Sequence, residues 1–214
     1  MTAATPEIVF DGPEDGPVLA LAHGAGVGMD SPFMAAMAER LAARGVRVAR
    51  FEFAYMAQRR TDGKKRPPPA QRTLLAEFRT VVDRLGGPGG VFVGGKSKGG
   101  RMASLPAAEQ EAAGAPLAAV AALRYPFHPP GKPDKLRTDH LQALATPMLV
   151  CQGERDPFGT AAEVPAYPLS QAVRVTWLPD GDHDLKPRKA SGHDHAANLD
   201  AAADAVAAFL RGAD

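Results

Sequence analysis

Six short apolar runs recur along the chain without clean polar and apolar alternation: Pro17 to Ala22, Val46 to Phe53, Val91 to Val93, Leu117 to Leu123, Pro147 to Cys151 and Val173 to Leu178. A strand with one wet face alternates, whereas a strand covered on both faces does not, so these runs predict a parallel sheet with helices on either side. Between them Ser31 to Ala43, Ala70 to Leu85, Arg101 to Ala113 and Ala196 to Leu210 space apolar residues by three and four, the helical period. Glu7 to Phe10 can add an edge strand, giving a mostly parallel sheet of about seven strands. The expectation is an α/β fold in one domain, 1–214, since 214 residues suffice for a full sheet with helices on both faces.

Two connections are too long for tight turns. Ala54 to Pro69 carries Arg59, Arg60, Lys64, Lys65, Arg66 and three prolines, and Tyr125 to Thr138 carries four prolines. Both are read as loops leaving the sheet at the C-terminal ends of strands, the edge where open α/β sheets bind ligands.

Composition narrows the function classes. The formal net charge of +1 gives no global attraction to nucleic acid or to a membrane surface. The single cysteine, Cys151, lies in an apolar run, so no internal disulfide can form and a reducing compartment suits the chain. No stretch approaches the roughly 18 apolar residues of a membrane span, and Met1 to Phe10 lacks the features of a signal peptide. A cytoplasmic protein is expected, with no nucleic-acid or membrane partner.

Chemistry concentrates at Gly95, Lys96, Ser97, Lys98, Gly99 and Gly100, which follow an apolar run and precede a helical stretch. A serine on a sharp strand-to-helix turn needs small residues two before and two after it, because a Cβ at either place would meet the neighbouring strand or helix. Both are glycine here. Gly90 to Ser97 also spells the phosphate-loop pattern G-x-x-x-x-G-K-[ST], but the four variable residues include Val91, Phe92 and Val93, strand formers where a phosphate would have to be wrapped.

A serine hydroxyl is a weak nucleophile and needs a base, itself oriented by a third group. In the order serine, acid, histidine, each on a loop after a later strand, Asp156 follows the run ending at Cys151 and His183 the run ending at Leu178. Glu154 and Asp182 are rival acids. Donors for a developing oxyanion are expected from the backbone N–H of Lys98 and, in the turn His23-Gly24-Ala25-Gly26, from Ala25, with Gly26 as the fallback. His193, Asp194 and His195 make a weak metal site and read as solvated residues beside the last helix; no metal or organic cofactor is expected.

Together the Ser97 turn, the His23 to Gly26 turn, the Gly153 to Gly159 loop and the Gly181 to Pro187 loop resemble the small lid-less α/β-hydrolases. More narrowly, the chain resembles dienelactone-hydrolase-like bacterial proteins related to the α/β-hydrolase domain of an animal chromatin-complex (NSL) subunit. The resemblance implies a hydrolase sheet shortened at its N-terminal edge and a Ser-Asp-His triad at Ser97, Asp156 and His183. It also suggests a shared pocket wall in the segment holding Tyr125 and His128; these two, with His23, Gly24 and Gly26, are the expected substrate-binding residues. Dienelactone hydrolases proper use a cysteine where Ser97 stands.

The expected activity is hydrolysis of a small ester or thioester through an acyl-enzyme; the competing reading is a catalytically silent interaction domain of the same fold. About two dozen residues separate Leu123 from Pro147, too few for a lid, which favours short substrates. Lys96, Lys98, Arg101 and the Arg59 to Arg66 segment would favour an anionic substrate if they line the entrance, or are merely solvated.

Overall fold

The computed structural model describes residues 6–212. Seven strands are built: β1 (Ile8–Asp11), β2 (Val18–Ala22), β3 (Arg47–Phe51), β4 (Phe92–Lys96), β5 (Val120–Leu123), β6 (Met148–Gly153) and β7 (Val173–Leu178). They form one sheet in the order β1-β3-β2-β4-β5-β6-β7, with β1 antiparallel to β3 and every other pair parallel. Five α-helices accompany them: α1 (Pro32–Ala42), α2 (Ala54–Asp62), α3 (Gln71–Arg84), α4 (Lys98–Ala112) and α5 (His195–Leu210).

The missing alternation is explained by where successive side chains go. On β2, Leu19 and Leu21 join one buried cluster with Met34, Met37 and Leu41 of α1 and Leu199 and Val206 of α5, while Ala20 and Ala22 join the other with Phe78 of α3 and Met102 of α4. On β6, Met148 and Val150 face the α3–α4 side and Leu149 and Cys151 the α1–α5 side. Both faces are dry, so both periods are apolar. The buried stripe of α5 includes Leu199, Val206, Phe209 and Leu210, and Cys151 is a core residue whose thiol points at the Ala202 carbonyl.

Three boundaries differ from the sequence reading. Strand β4 continues through Gly94, Gly95 and Lys96, because pairing with β2 and β5 (Ala22↔Gly95, Gly95↔Ala122) outweighs the poor strand preference of glycine. It therefore occupies the segment that a phosphate loop would need free. Helix α4 begins at Lys98 rather than Arg101. The 54–69 segment is not all loop: α2 fills Ala54–Asp62 and ends at Gly63 in the left-handed region (φ 69°). That helix buries only Tyr55 and Met56 and so leaves no helical stripe to read; it is held by long-range partners, since the Glu77 carboxylate accepts the Ala54 N–H at 2.9 Å and Arg60 pairs with Glu52 and Asp30.

Between β5 and β6 the chain forms only turns and a single 3₁₀ turn at Asp139–Leu141, so no lid covers the sheet edge. Chain direction across the sheet reverses at β2, which has β3 on one side and β4 on the other. The crevice beyond the C-terminal ends of β2 and β4 is the topological switch point, where such sheets bind ligands.

Candidate active site

Ser97 sits in that crevice, one residue past β4, with φ 52° and ψ −113°. Its N–H donates to the Leu123 carbonyl at 2.7 Å, which extends the β4–β5 pairing into the turn before the chain enters α4. The flanking glycines are sterically required. A Cβ on Gly95 would lie 2.5 Å from the Gly99 carbonyl carbon and 2.7 Å from the Ala22 oxygen, and one on Gly99 would lie 2.4 Å from that same oxygen.

The hydroxyl of Ser97 donates to His183 Nε2 at 3.0 Å, and His183 Nδ1 donates to Asp156 Oδ2 at 2.8 Å. Asp156 is fully buried, and every oxygen of its carboxylate is used: Oδ2 also accepts from Gln152 Nε2 at 3.0 Å, and Oδ1 accepts from the Phe158 N–H at 2.9 Å. The Phe158 ring packs on the His183 imidazole at 4.3 Å between centroids, fixing its plane. Sequence reasoning missed Gln152 and Phe158. Gln152 sits in register at the end of β6 next to an apolar run, and a glutamine there carries no recognisable motif.

The rival acids are occupied elsewhere. Glu154 accepts the Asp180 N–H at 2.8 Å and so ties the Asp156 loop to the His183 loop, while Asp182 accepts the Asp184 and Lys186 N–H groups at 2.7 and 3.0 Å and builds the turn that carries His183. Asp180 reinforces the same tie by pairing with Arg155 and also pairs with Arg188 on its own loop, and Arg188 first, then Arg155, hold its carboxyl well below the usual range. Arg124, fully buried with φ 62°, adds a clamp: its Nη1 donates to the His183 carbonyl and to Asp184, and its guanidinium lies 3.9 Å over the Phe33 ring. Burial pulls Arg124 down to about 10, with Asp184 opposing.

The turn after β2 is braced carbonyl by carbonyl. His23 Nε2 accepts the Phe53 N–H at 3.1 Å, which leaves the proton on Nδ1 to donate to the Gly24 oxygen at 2.6 Å. The Tyr55 hydroxyl donates to the Ala25 oxygen at 3.1 Å and Arg59 to the Gly26 oxygen at 3.1 Å. A trans peptide points its N–H opposite its carbonyl, so tying down the Gly24 oxygen turns the Ala25 N–H away from His23. On the other side, the Lys98 N–H is the first of α4 and has no partner within the helix.

Three expected pocket residues are corrected here. His23, Tyr125 and His128 are 1 %, 0 % and 2 % exposed, so their side chains do not meet a substrate in this conformation. His23 is spent on the turn, the Tyr125 hydroxyl donates to the Arg137 carbonyl at 3.2 Å, and His128 Nδ1 donates to the Pro129 carbonyl at 2.9 Å. Ala25 and Gly26 are exposed and border a cavity of about 420 Å³ with Tyr55, Met56, Arg59 and Lys65. His195 donates to the Asp184 carbonyl, and no group of three or more metal-ligating side chains occurs among the described residues. No helix among them is long and apolar enough to cross a membrane.

Two histidines give the fold a pH dependence. Burial holds His23 below the usual histidine value, and burial followed by the Arg101 charge pushes His140 down to about 4, with Asp139 opposing. Below about 6.5 the unfolded chain takes up protons that the folded chain refuses, so stability falls as pH drops, for His140 until about 4. The midpoint of thermal unfolding should decline between pH 6.5 and 5, above the range where carboxylates titrate, and His140→Gln should flatten that decline; an unchanged slope would remove His140 from the effect.

A seven-stranded sheet with this strand order, a serine turn at its switch point and a histidine and a carboxylate on the loops after its last two strands are the marks of the α/β-hydrolase class. The chain belongs to the family described as Alpha/beta hydrolase domain, whose model matches residues 15–211. Among solved structures it is similar to dienelactone hydrolase from Anabaena variabilis (18% identity, 99% of this chain and 94% of that one, TM-score 0.68). Est1E from Butyrivibrio proteoclasticus with bound ferulic acid superposes at TM-score 0.67 (18% identity, 97% and 94% covered), and an alpha-beta serine hydrolase homologue from Coxiella burnetii at 0.64 (16%, 98% and 92%). At these identities the likeness is one of fold.

Proposed function

We propose that the protein is a serine hydrolase cleaving small ester or thioester bonds by two-step acyl transfer to water. The observation that carries this reading is the unbroken relay from Ser97 Oγ to His183 (3.0 Å) to a buried Asp156 (2.8 Å). His183 takes the serine proton as Ser97 attacks the carbonyl and returns it to the leaving group, while Asp156 keeps the imidazole in the tautomer whose Nε2 can accept and balances the imidazolium. The N–H groups of Lys98 and Ala25 receive the oxyanion, each worth about 3 kcal/mol. Water then repeats the cycle on the acyl-enzyme. The lid-less edge favours short acyl chains.

The test needs no guess at the substrate. A fluorophosphonate probe, located by peptide mass mapping, should label Ser97 in the parent protein and fail in Ser97→Ala and His183→Ala. Folded parent protein that stays unlabelled would sink the reading and leave the chromatin-subunit resemblance, with its silent interaction domain, as the one to pursue.

A further inference from the structure

Arginines in this protein are generally matched by carboxylates. Arg60 lies between Glu52 and Asp30, Arg44 between Asp200 and Asp204, Arg50 on Asp11, and Arg155 and Arg188 share Asp180. Others, among them Arg47, Arg59, Arg84 and Arg211, are held by backbone carbonyls alone, but a cluster of three cations adjoining Ser97 has neither a carboxylate nor a backbone carbonyl partner for its side chains. Lys98 is the next residue; Arg101, whose N–H donates to the Ser97 carbonyl at 3.2 Å, stands one helical turn further along the same face of α4. Arg137 arrives from the loop after β5, where its N–H donates to the Phe127 carbonyl and its own carbonyl accepts the Tyr125 hydroxyl.

All three side chains are half-buried. Among the described residues the Lys98 ammonium and the Arg137 guanidinium have no hydrogen-bonding or ionic partner, and Arg101 has only the neutral amide of Gln71, at 2.9 Å, with its buried Nε unpartnered. They repel one another: burial and then Arg101 and Arg137 hold Lys98 below the usual lysine range, and burial and then Arg101 lower Arg137. The Asp139 carboxylate acts on His140, which burial keeps neutral and bound to the Ser104 hydroxyl at 2.8 Å. Packing three like charges with no counter-charge is costly unless something anionic visits. The cations at the other rim are not packed together in this way: Lys64 and Lys65 are exposed, Arg59 is held by the Gly26 carbonyl and Arg66 by Asp62.

We propose that the substrate carries a compact oxyanion, a carboxylate or a phosphate, and that Lys98, Arg101 and Arg137 receive it beside Ser97. This rests on the hydrolase reading and adds the charge of its substrate. Charge-assisted hydrogen bonds of about 1.5–3 kcal/mol correspond to a preference of roughly 10- to 100-fold for an anionic over a matched neutral ester.

Comparison of p-nitrophenyl hexanoate, the neutral ester with the same number of acyl carbons, with the mono-p-nitrophenyl ester of adipate should show that preference in kcat/KM, shrinking severalfold as salt rises from about 0.05 to 0.5 M. Arg101→Met and Arg137→Met should each cut the ratio at least about tenfold, and Arg137→Lys less. Absence of a preference, or equal losses on both esters, overturns the inference. A readout independent of turnover is calorimetric titration of Ser97→Ala with adipate and, separately, inorganic phosphate. Binding abolished by adding Arg137→Met upholds the site and tells carboxylate from phosphate, whereas no binding of either overturns it. Failure of the hydrolase reading shows separately, as a parent protein that fluorophosphonate does not label.

Discussion

Asp156→Asn is expected to lower kcat on small esters by about 10⁴-fold while leaving the fold intact. Three donors converge on this carboxylate, from His183 Nδ1, Gln152 Nε2 and the Phe158 N–H, so the site demands an acceptor at both oxygens. An asparagine supplies one. With its NH₂ at the Oδ2 position it opposes Gln152 and draws the imidazole into the tautomer protonated at Nε2, which cannot accept from Ser97. Turned the other way it leaves the Phe158 N–H unpaired, and in either orientation the imidazolium loses its counter-charge. The buried mismatch costs a further ~1–3 kcal/mol of stability. Steady-state rates on a neutral aryl ester, with circular dichroism to confirm folding, test this; a loss smaller than about tenfold would take Asp156 out of the role.

Gly95→Ala is expected to be among the most damaging small substitutions in the protein. The added methyl would sit 2.5 Å from the Gly99 carbonyl carbon, 2.7 Å from the Ala22 oxygen and 2.8 Å from the Gly100 nitrogen. All three are backbone atoms, on a central strand and on the first turn of α4, so relief requires moving a whole element. A loss of at least ~3 kcal/mol follows, about 10 °C in thermal midpoint for a chain of this size, with a large share of the protein expressed insoluble. Gly90→Ala, where nothing lies within 4 Å of the added methyl, is the control and should stay within about 0.5 kcal/mol. Denaturant melts of the pair decide the matter, and equal midpoints would mean that the strand-to-helix turn tolerates a side chain.

The sheet was legible because burial on both faces leaves a plain trace: Leu19 and Leu21 face one helix layer and Ala20 and Ala22 the other, so the run reads apolar throughout. The order of Ser97, Asp156 and His183 was legible for a different reason, since each follows directly on such a run. What escaped depends on partners far away in sequence. Helix α2 is anchored by Glu77 and Glu52, and its own residues, rich in charge and followed by three prolines, spell a loop. Gln152 becomes informative only when β6 and the Asp156 loop bring it against the carboxylate. Tyr125 and His128 were expected in the pocket because the resemblance implies a wall from their segment; the chain folds both side chains inward.

The braces around Ser97 fall into two sets that share no residue. Glu154, Asp180, Arg155 and Arg188 lock the acid loop to the histidine loop, whereas His23, Tyr55 and Arg59 lock the turn after β2 to β3 and α2. Distant groups without common partners respond to substitution almost additively. Substitutions on the α2 side are therefore expected to move the turn after β2 while leaving the hydrogen bonds among Ser97, His183 and Asp156 in register. The two halves of the site can accordingly be altered one at a time, each by residues the other does not use.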